Sequence, residues 1–313
     1  MTGPPAATAA VRVAVRRALV DLPADAVVVA AVSGGADSLA LAAALAFERP
    51  ACSGALVVDH ALQQGSAAVA DRAAQRCLSL GLRPVEVLTA TVAATGGGGP
   101  EARARTARYA LLEAAADRVK AVAILLGHTL DDQAETLLLG LGRGSGARSL
   151  SGMAPVRGRL RRPLLGIDRA TTRAACGEAG LTPWDDPHNV DPSYARVRIR
   201  REVMPVLGDA LGRGIAPALA RTARLLREDA DALDALTPKL ADKPAVAVLA
   251  ELPAALRARA LKAWAEQSCG QAVTSAHVDA LRSLVEDWSG QGPVSLPGGS
   301  RVRRTEDHLV LGR

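Results

Sequence analysis

The sequence predicts an α/β protein, a doubly wound parallel sheet followed by a smaller, mainly helical C-terminal domain. Four apolar runs of strand length, at residues 27–32, 54–58, 84–88 and 121–127, alternate with helical patterns. Strands and helices that alternate in this way form parallel sheets with right-handed crossovers. Beyond Leu207 helical patterns dominate until short strands follow in 290–313. We therefore expect domains at residues 1–206 and 207–313.

The first strand leads into a glycine turn at residues 33–38. Gly34 and Gly35 have no Cβ, so the backbone can turn sharply and approach a ligand closely. The helix that follows would direct its free N–H groups and the positive end of its dipole at the turn, as in phosphate sites. An ordinary turn capped by Ser33 or Ser38 is equally consistent with these residues alone.

Several familiar loop types are excluded at this turn. It lacks the Gly-Lys-Ser/Thr of a Walker loop and the GxGxxG of a dinucleotide-binding turn. Ala31 stands where a nucleophile elbow has glycine, which disfavours a serine hydrolase acting through Ser33.

Polar side chains follow two of the other predicted strands. Asp59 and His60 come after the second strand, and His128 comes after the fourth. Ligands of open parallel sheets bind at the carboxyl ends of strands, so we expect these residues beside the glycine turn.

Two helices of this region carry charge on one face. Arg105 and Arg108 are three residues apart on a helix that begins at Pro100, and together they could clamp a phosphate. Asp132 and Glu135 are three residues apart at the start of the helix capped by Thr129. These carboxylates could offset the helix dipole, hold Mg²⁺ or bind a substrate amine.

Positive charge is concentrated in one stretch. Residues 141–170 hold seven arginines and one acid, and this excess of six equals the net charge of the chain. A patch of this kind is typical of a surface that binds a polyanion, and it favours nucleic acid over a membrane surface. An arginine-rich loop exposed to solvent is the simpler alternative.

The composition indicates the cellular compartment of the protein. The four cysteines are far apart and form no CxxC pair, which suits a reducing cytoplasm. No apolar run approaches the roughly 20 residues that a membrane span needs. We expect a cytoplasmic protein with no membrane partner, and we keep a homodimer open.

Eight segments together resemble the tRNA(Ile)-lysidine synthetase family, a branch of the PP-loop ATP pyrophosphatases. In family order they are 33–38 (SGGADS), 58–60 (VDH), 104–109 (ARTARY), 127–136 (GHTLDDQAET), 143–146 (RGSG), 152–153 (GM), 162–165 (RPLL) and 196–200 (RVRIR). The C-terminal part is similar to the family's shorter form.

The resemblance implies an ATP-dependent ligase. The family joins L-lysine to C2 of the first-anticodon cytidine of isoleucine tRNA with a CAU anticodon, through an adenylated cytidine. Implied for nucleotide binding are Ser33, Gly34, Gly35, Ala36, Asp37, Ser38, Asp59 and His60, with Asp37 also a Mg²⁺ ligand. Implied for catalysis are Asp37, Arg108, His128, Asp132 and Glu135. Implied for tRNA binding are Arg105, Arg143, Arg148, Arg161, Arg162, Arg196, Arg198, Arg200 and Arg201.

Three departures from the family pattern are Thr129 in place of a second histidine, Gln63 in place of arginine and Ser149 in place of glycine. Three alternatives stay open at this point: a PP-loop tRNA thiolase, a small-molecule PP-loop ligase and a non-catalytic tRNA-binding protein. A thiolase would need cysteines placed for catalysis, and a small-molecule ligase would not need the basic stretch.

Overall fold

A computed structural model describes residues 3–59, 65–89, 100–144, 146–212 and 214–312. The chain divides into two compact units, Met1–Arg227 and Glu228–Arg313. The domain boundary expected between residues 206 and 207 stays a prediction.

The first unit is built on a six-stranded sheet. In chain order its strands are β1 (Val28–Val32), β2 (Ser53–Asp59), β3 (Val85–Thr89), β4 (Ala123–Leu126), β5 (Val156–Arg157) and β6 (Leu160–Arg161). The spatial order is β3-β2-β1-β4-β6-β5, with every pairing parallel except that of β5 with β6. The predicted doubly wound sheet is therefore confirmed, and a short arginine-containing hairpin extends one edge.

Ten helices begin in the described part of this unit. They are α1 (Ala6–Ala18), α2 (Ala36–Glu48), α3 (Ser66–Ser79), α4 (Pro100–Arg118), α5 (Leu130–Leu141), α6 (Ala147–Leu150), α7 (Arg169–Glu178), α8 (Ala195–Arg198), α9 (Met204–Leu211) and α10 (Ile215–Leu236). A π-helical turn, Ile199–Val203, joins α8 to α9. The last helix includes residues of both units.

The central strand β1 shows why helices cover both faces of the sheet. Its residues alternate between two buried clusters, because successive side chains of a strand point to opposite faces. Val28 and Val32 pack with residues of α1, α2, α3 and α7. Val29 packs with residues of α4 on the other side. A strand buried on both faces must be apolar throughout, as this one is.

The register brings the polar strand ends to one edge of the sheet. Val32 at the end of β1 pairs with Val57 of β2, two residues before Asp59. On the other side of β1, Ala31 pairs with Leu126, two residues before His128. The glycine turn, Asp59 and His128 therefore leave the sheet at the same edge. His60 and Gln63 lie outside the described residues.

The second unit has its own small core. It contains α11 (Val246–Glu251), α12 (Ala254–Cys269) and α13 (Ser275–Glu286), with an antiparallel sheet of β7 (Val294–Ser295), β8 (Arg301–Arg304) and β9 (Leu309–Gly312). Trp264, Leu281 and Val302 are buried where these helices meet the sheet. In the described part of the chain no helix has both the length and the apolar character needed to cross a bilayer.

Candidate active site

The turn after β1 has the shape of an anion site. Gly34 has a φ of +86°, in the left-handed region that glycine adopts without strain. The Ser38 hydroxyl accepts a hydrogen bond from the Ser33 N–H at 3.2 Å and donates one to the Gly35 carbonyl at 2.9 Å. Among the residues that the structure describes, no side chain caps the start of α2. The first N–H groups of this helix are thus available to a ligand.

Two segments that are distant in sequence contact this turn. The N–H of Trp184 donates to the Gly34 carbonyl at 2.9 Å. Gly127, just after β4, lies so close to α2 that a Cβ there would sit 3.2 Å from the Ser38 nitrogen. A larger residue at 127 would crowd the backbone of the turn, so the strand end and the turn form one packed structure.

Asp37, in the first turn of α2, is linked to helix α7. Its Oδ1 accepts a hydrogen bond from the Thr172 hydroxyl, and its Oδ2 lies 3.7 Å from Nε of Arg169. Burial raises the pKa of Asp37 above the usual range, while the Thr172 hydroxyl and Arg169 oppose that rise.

Helix α5 begins with a capping box. The Thr129 hydroxyl accepts from the Asp132 N–H, and Oδ2 of Asp132 accepts from the Thr129 N–H at 2.8 Å. Thr129 is fully buried, so the residue that departs from the family pattern supplies the cap of this helix. Burial acts to raise the pKa of Asp132, but Arg169 and the Thr129 N–H outweigh it and the pKa is lowered.

Glu135, which lies one turn after Asp132 in α5, is surrounded by three arginines. Arg200 binds both of its oxygens, at 2.7 and 3.1 Å. Arg169 lies 3.4 Å from one oxygen and Arg196 lies 3.7 Å from the other. The Glu135 side chain is only 2% exposed. A buried carboxylate requires partners of this kind, because an unpaired charge there is costly.

Arg169 contacts acidic residues of both α2 and α5. Besides its contacts with Asp37 and Glu135, its guanidinium donates to Asp132 at 3.0 Å. Its backbone N–H donates to Asp131 at 2.8 Å. Sequence reasoning counted Arg169 only as part of the basic stretch. A cation in the first turn of a helix opposes the dipole, and this was the available signal that it needs carboxylate partners.

A cationic cluster lies beside His128. Arg105 and Arg108 of α4 approach the ring of Tyr109, at 5.0 and 5.5 Å from its centroid. Burial, with help from Arg162, Arg108 and Arg105, lowers the pKa of His128 to about 3 although Asp132 opposes it. Nδ1 of His128 is buried and makes no hydrogen bond within the described protein. The imidazole is therefore neutral at physiological pH, with a polar atom to offer a ligand.

The nine arginines expected to bind tRNA differ in exposure, and Arg105, Arg196 and Arg200 are half-buried. Arg143, Arg148, Arg198 and Arg201 are exposed. By contrast, Arg161 and Arg162 are buried. Arg161 donates to both oxygens of Asp21, at 2.5 and 2.8 Å, and Arg162 donates to the Ala154 carbonyl at 2.8 Å.

Asp59 is buried at the end of β2, at the same edge of the sheet. Among the described residues no three His, Cys, Asp or Glu side chains converge as a metal cluster. Mg²⁺ in ATP-dependent enzymes is often held by one or two carboxylates together with substrate phosphates. Asp37, in the glycine turn at residues 33–38 and with one oxygen 3.7 Å from its nearest cation, fits that requirement.

Family models account for both units of the chain. A model described as PP-loop domain matches residues 8–207, and one described as TilS substrate binding domain matches residues 245–310. Among solved structures, the U34-tRNA thiolase NcsA from Methanococcus maripaludis with its [4Fe-4S] cluster has a TM-score of 0.58 at 19% identity. That likeness covers 71% of this chain and 80% of the thiolase, and it shows a shared fold.

Full-length relatives are far more similar. The tRNA(Ile)-lysidine synthase of Thermobifida fusca is 52% identical over 99% of both chains. The enzyme of the same name from Leifsonia xyli is 54% identical over 89% of this chain and 88% of its own. The one from Streptomyces coelicolor is 47% identical over 99% of both. With both family domains in one chain and with relatives about half identical over nearly its whole length, the protein belongs to the tRNA(Ile)-lysidine synthase family.

Proposed function

We propose that this protein ligates L-lysine to C2 of the first-anticodon cytidine of isoleucine tRNA with a CAU anticodon, using ATP and releasing AMP and pyrophosphate. The observation that carries the proposal is the 52% identity to a tRNA(Ile)-lysidine synthase over 99% of both chains. The meeting of a phosphate turn with Asp132 and Glu135 supports it, because such a reaction needs an ATP site beside a site for an amine.

The chemistry has two steps. The O2 atom of cytidine is a poor leaving group, so it first attacks the α-phosphate of ATP and pyrophosphate leaves. The ε-amine of lysine then attacks C2, the C2–O2 bond breaks and AMP leaves with that oxygen. The ε-ammonium must lose one proton before the attack, because only the free amine has a lone pair, and a second proton leaves this nitrogen after the bond to C2 has formed.

The turn at residues 33–38 is proposed to hold the phosphates of ATP through the N–H groups at the start of α2. Asp37 would hold Mg²⁺, which supplies charge neutralisation at the phosphates when it is bound. Arg108, with Arg105, would bind the α-phosphate from α4, since the guanidinium fork matches phosphate oxygens. Asp59 would contact the nucleotide from the end of β2, as would His60.

Asp132 and Glu135 are proposed to bind and orient the lysine amine, and one of them to accept its proton. Neutral His128 would face the reacting base, because its buried Nδ1 can hydrogen-bond a polar atom of cytidine without adding charge. The base must leave its stack to reach this position, as RNA-binding proteins commonly require.

The exposed arginines are proposed to bind tRNA phosphates, which makes binding salt-dependent. Arg143 and Arg148 come from the basic stretch, and Arg198 and Arg201 follow in α8 and the π-helical turn. We also propose that the second unit binds tRNA and that the enzyme works in the cytoplasm, where its four free cysteines stay reduced.

The deciding experiment is incorporation of labelled L-lysine into unmodified isoleucine tRNA with a CAU anticodon. We expect label in the tRNA only with ATP present, together with AMP and pyrophosphate in equal amounts. Methionine tRNA, which has the same anticodon, is the specificity control. Transfer of labelled sulfur or ammonia with no lysine incorporated would refute the proposal and favour a different PP-loop enzyme.

Asp132→Ala is expected to abolish modification while ATP still binds, because Asp132 lies in α5 whereas the turn at residues 33–38 joins β1 to α2. Asp132→Asn keeps an acceptor for the Thr129 cap and separates loss of charge from loss of the cap. Asp117→Ala removes an acid that pairs at 2.6 Å with Arg159 on the surface and is the matched control. Normal turnover by Asp132→Asn would show that this carboxylate takes no part in the reaction.

A further inference from the structure

Three carboxylates of the proposed site converge on one side chain. Nε of Arg169 faces Asp37 at 3.7 Å, one terminal nitrogen faces Glu135 at 3.4 Å and the other faces Asp132 at 3.0 Å. Each nitrogen of the guanidinium thus serves a different carboxylate. Because that group is planar and rigid, it fixes the three acids relative to one another as well as neutralising them.

The carboxylates come from two helices that need such a link. Asp37 stands on α2, in the half of the site proposed to bind ATP, whereas Asp132 and Glu135 stand on α5, in the half proposed to bind lysine. These acids repel one another at close range. Across the described part of the chain, Arg169 is the residue whose ion pairs reach all three; Arg200 reaches two.

Arg169 is itself held firmly. It is the first residue of α7, which Asp168 caps by accepting from the Thr171 N–H at 2.7 Å. Its own N–H is bound by Asp131. One turn along, Thr172 donates to Asp37, so the start of α7 contacts the ATP-site carboxylate through two residues.

We propose that Arg169 is a positioning residue for lysidine formation, whose guanidinium aligns the carboxylate of the ATP half of the site with the two carboxylates of the lysine half. This inference rests on the proposed function. It differs from a role in gripping tRNA phosphates, because the guanidinium nitrogens are already engaged with carboxylates and the side chain is only 26% exposed.

The test compares Arg169→Gln, Arg169→Lys and Arg173→Gln. Arg173 lies one turn further along α7 and pairs on the surface with Asp185, so it is the matched control. For each variant the measurements are kcat, the KM values for lysine and ATP, the Kd for tRNA and the melting temperature.

We expect Arg169→Gln to lower kcat about 100-fold, the size of effect that a displacement of about 1 Å can have on an aligned reaction. Its tRNA Kd, measured at low salt, should stay within about threefold of wild type, because a lost phosphate contact would weaken binding most under that condition. Arg169→Lys keeps the charge but one ammonium cannot align three acids, so we expect a loss of about tenfold in kcat. Arg173→Gln should match wild type.

Wild-type kcat in Arg169→Lys would show that charge alone suffices and would overturn the proposal. A loss confined to tRNA affinity would assign Arg169 to tRNA binding instead. If neither Arg169 variant folds, the residue is structural and the proposal is wrong. Failure of the wild-type protein to incorporate lysine would refute the proposed function itself, and a lysine-incorporating enzyme indifferent to Arg169 would refute only this inference.

Discussion

Glu135→Gln tests how strongly the carboxylate network stabilises the fold. The substitution keeps the shape of the side chain but removes the charge that Arg200 binds through two hydrogen bonds. Arg169 and Arg196 would lose the same partner. Three guanidinium groups would then face a neutral amide in a partly buried site.

The burial of Glu135 sets the expected loss of stability. Removing one partner of a buried ion pair costs about 3–5 kcal/mol, and we expect the lower end because the arginines are 26–31% exposed. For a unit of this size each kcal/mol shifts the melting temperature by about 2–4 °C, so the expected decrease is about 6–12 °C.

The assay is thermal unfolding by circular dichroism, with urea unfolding as a second measurement. Asp185→Asn is the matched control, since Asp185 also binds an arginine, Arg173 at 2.7 Å, but the two side chains are 76% and 60% exposed. Exposed pairs contribute little, so the control should melt like wild type. Equal melting temperatures for Glu135→Gln and wild type would refute the view that this network holds α5 in place.

Two further predictions concern pH and salt. The pKa of His128 falls from 6.5 in the unfolded chain to about 3 in the folded protein, so between these values only the unfolded state binds the proton. The free energy of unfolding should therefore drop by on the order of 2 kcal/mol between pH 7 and pH 5. Urea unfolding at both pH values checks this, and His128→Gln should flatten the pH dependence. Arg143→Ala should reduce the salt slope of tRNA binding by about one, whereas Arg161→Ala, which breaks the pair with Asp21, should lower the melting temperature and leave that slope unchanged. A salt slope reduced by Arg161→Ala would place that arginine at the tRNA instead.

The sequence was sufficient for the sheet because buried parallel strands are apolar throughout. β1 and β4 are such runs, and their ends bring the glycine turn and His128 together as predicted. The β5–β6 hairpin was missed because each strand has two residues and contains an arginine, which suggested a solvated basic stretch. Arg161 is buried there by its pair with Asp21, a contact between residues 140 positions apart that no local pattern reveals.

The site was predictable only in part for a similar reason. Asp132 and Glu135 stand at the start of an amphipathic helix in a recognisable spacing, so their placement on α5 could be expected. Arg169 and Thr172 reach Asp37 from a helix that starts more than 130 residues later. Their role depends on how α7 packs against α2, which is a property of the tertiary structure and not of any motif.

The hydrogen bond from Trp184 to Gly34 has a consequence for synthesis of the protein. The glycine turn is translated early, but the partner that holds its carbonyl is made 150 residues later. During translation the turn cannot reach its final form until the segment around Trp184 has left the ribosome. A nascent chain that ends before this point would therefore carry the complete SGGADS sequence and still lack the donor that holds the Gly34 carbonyl.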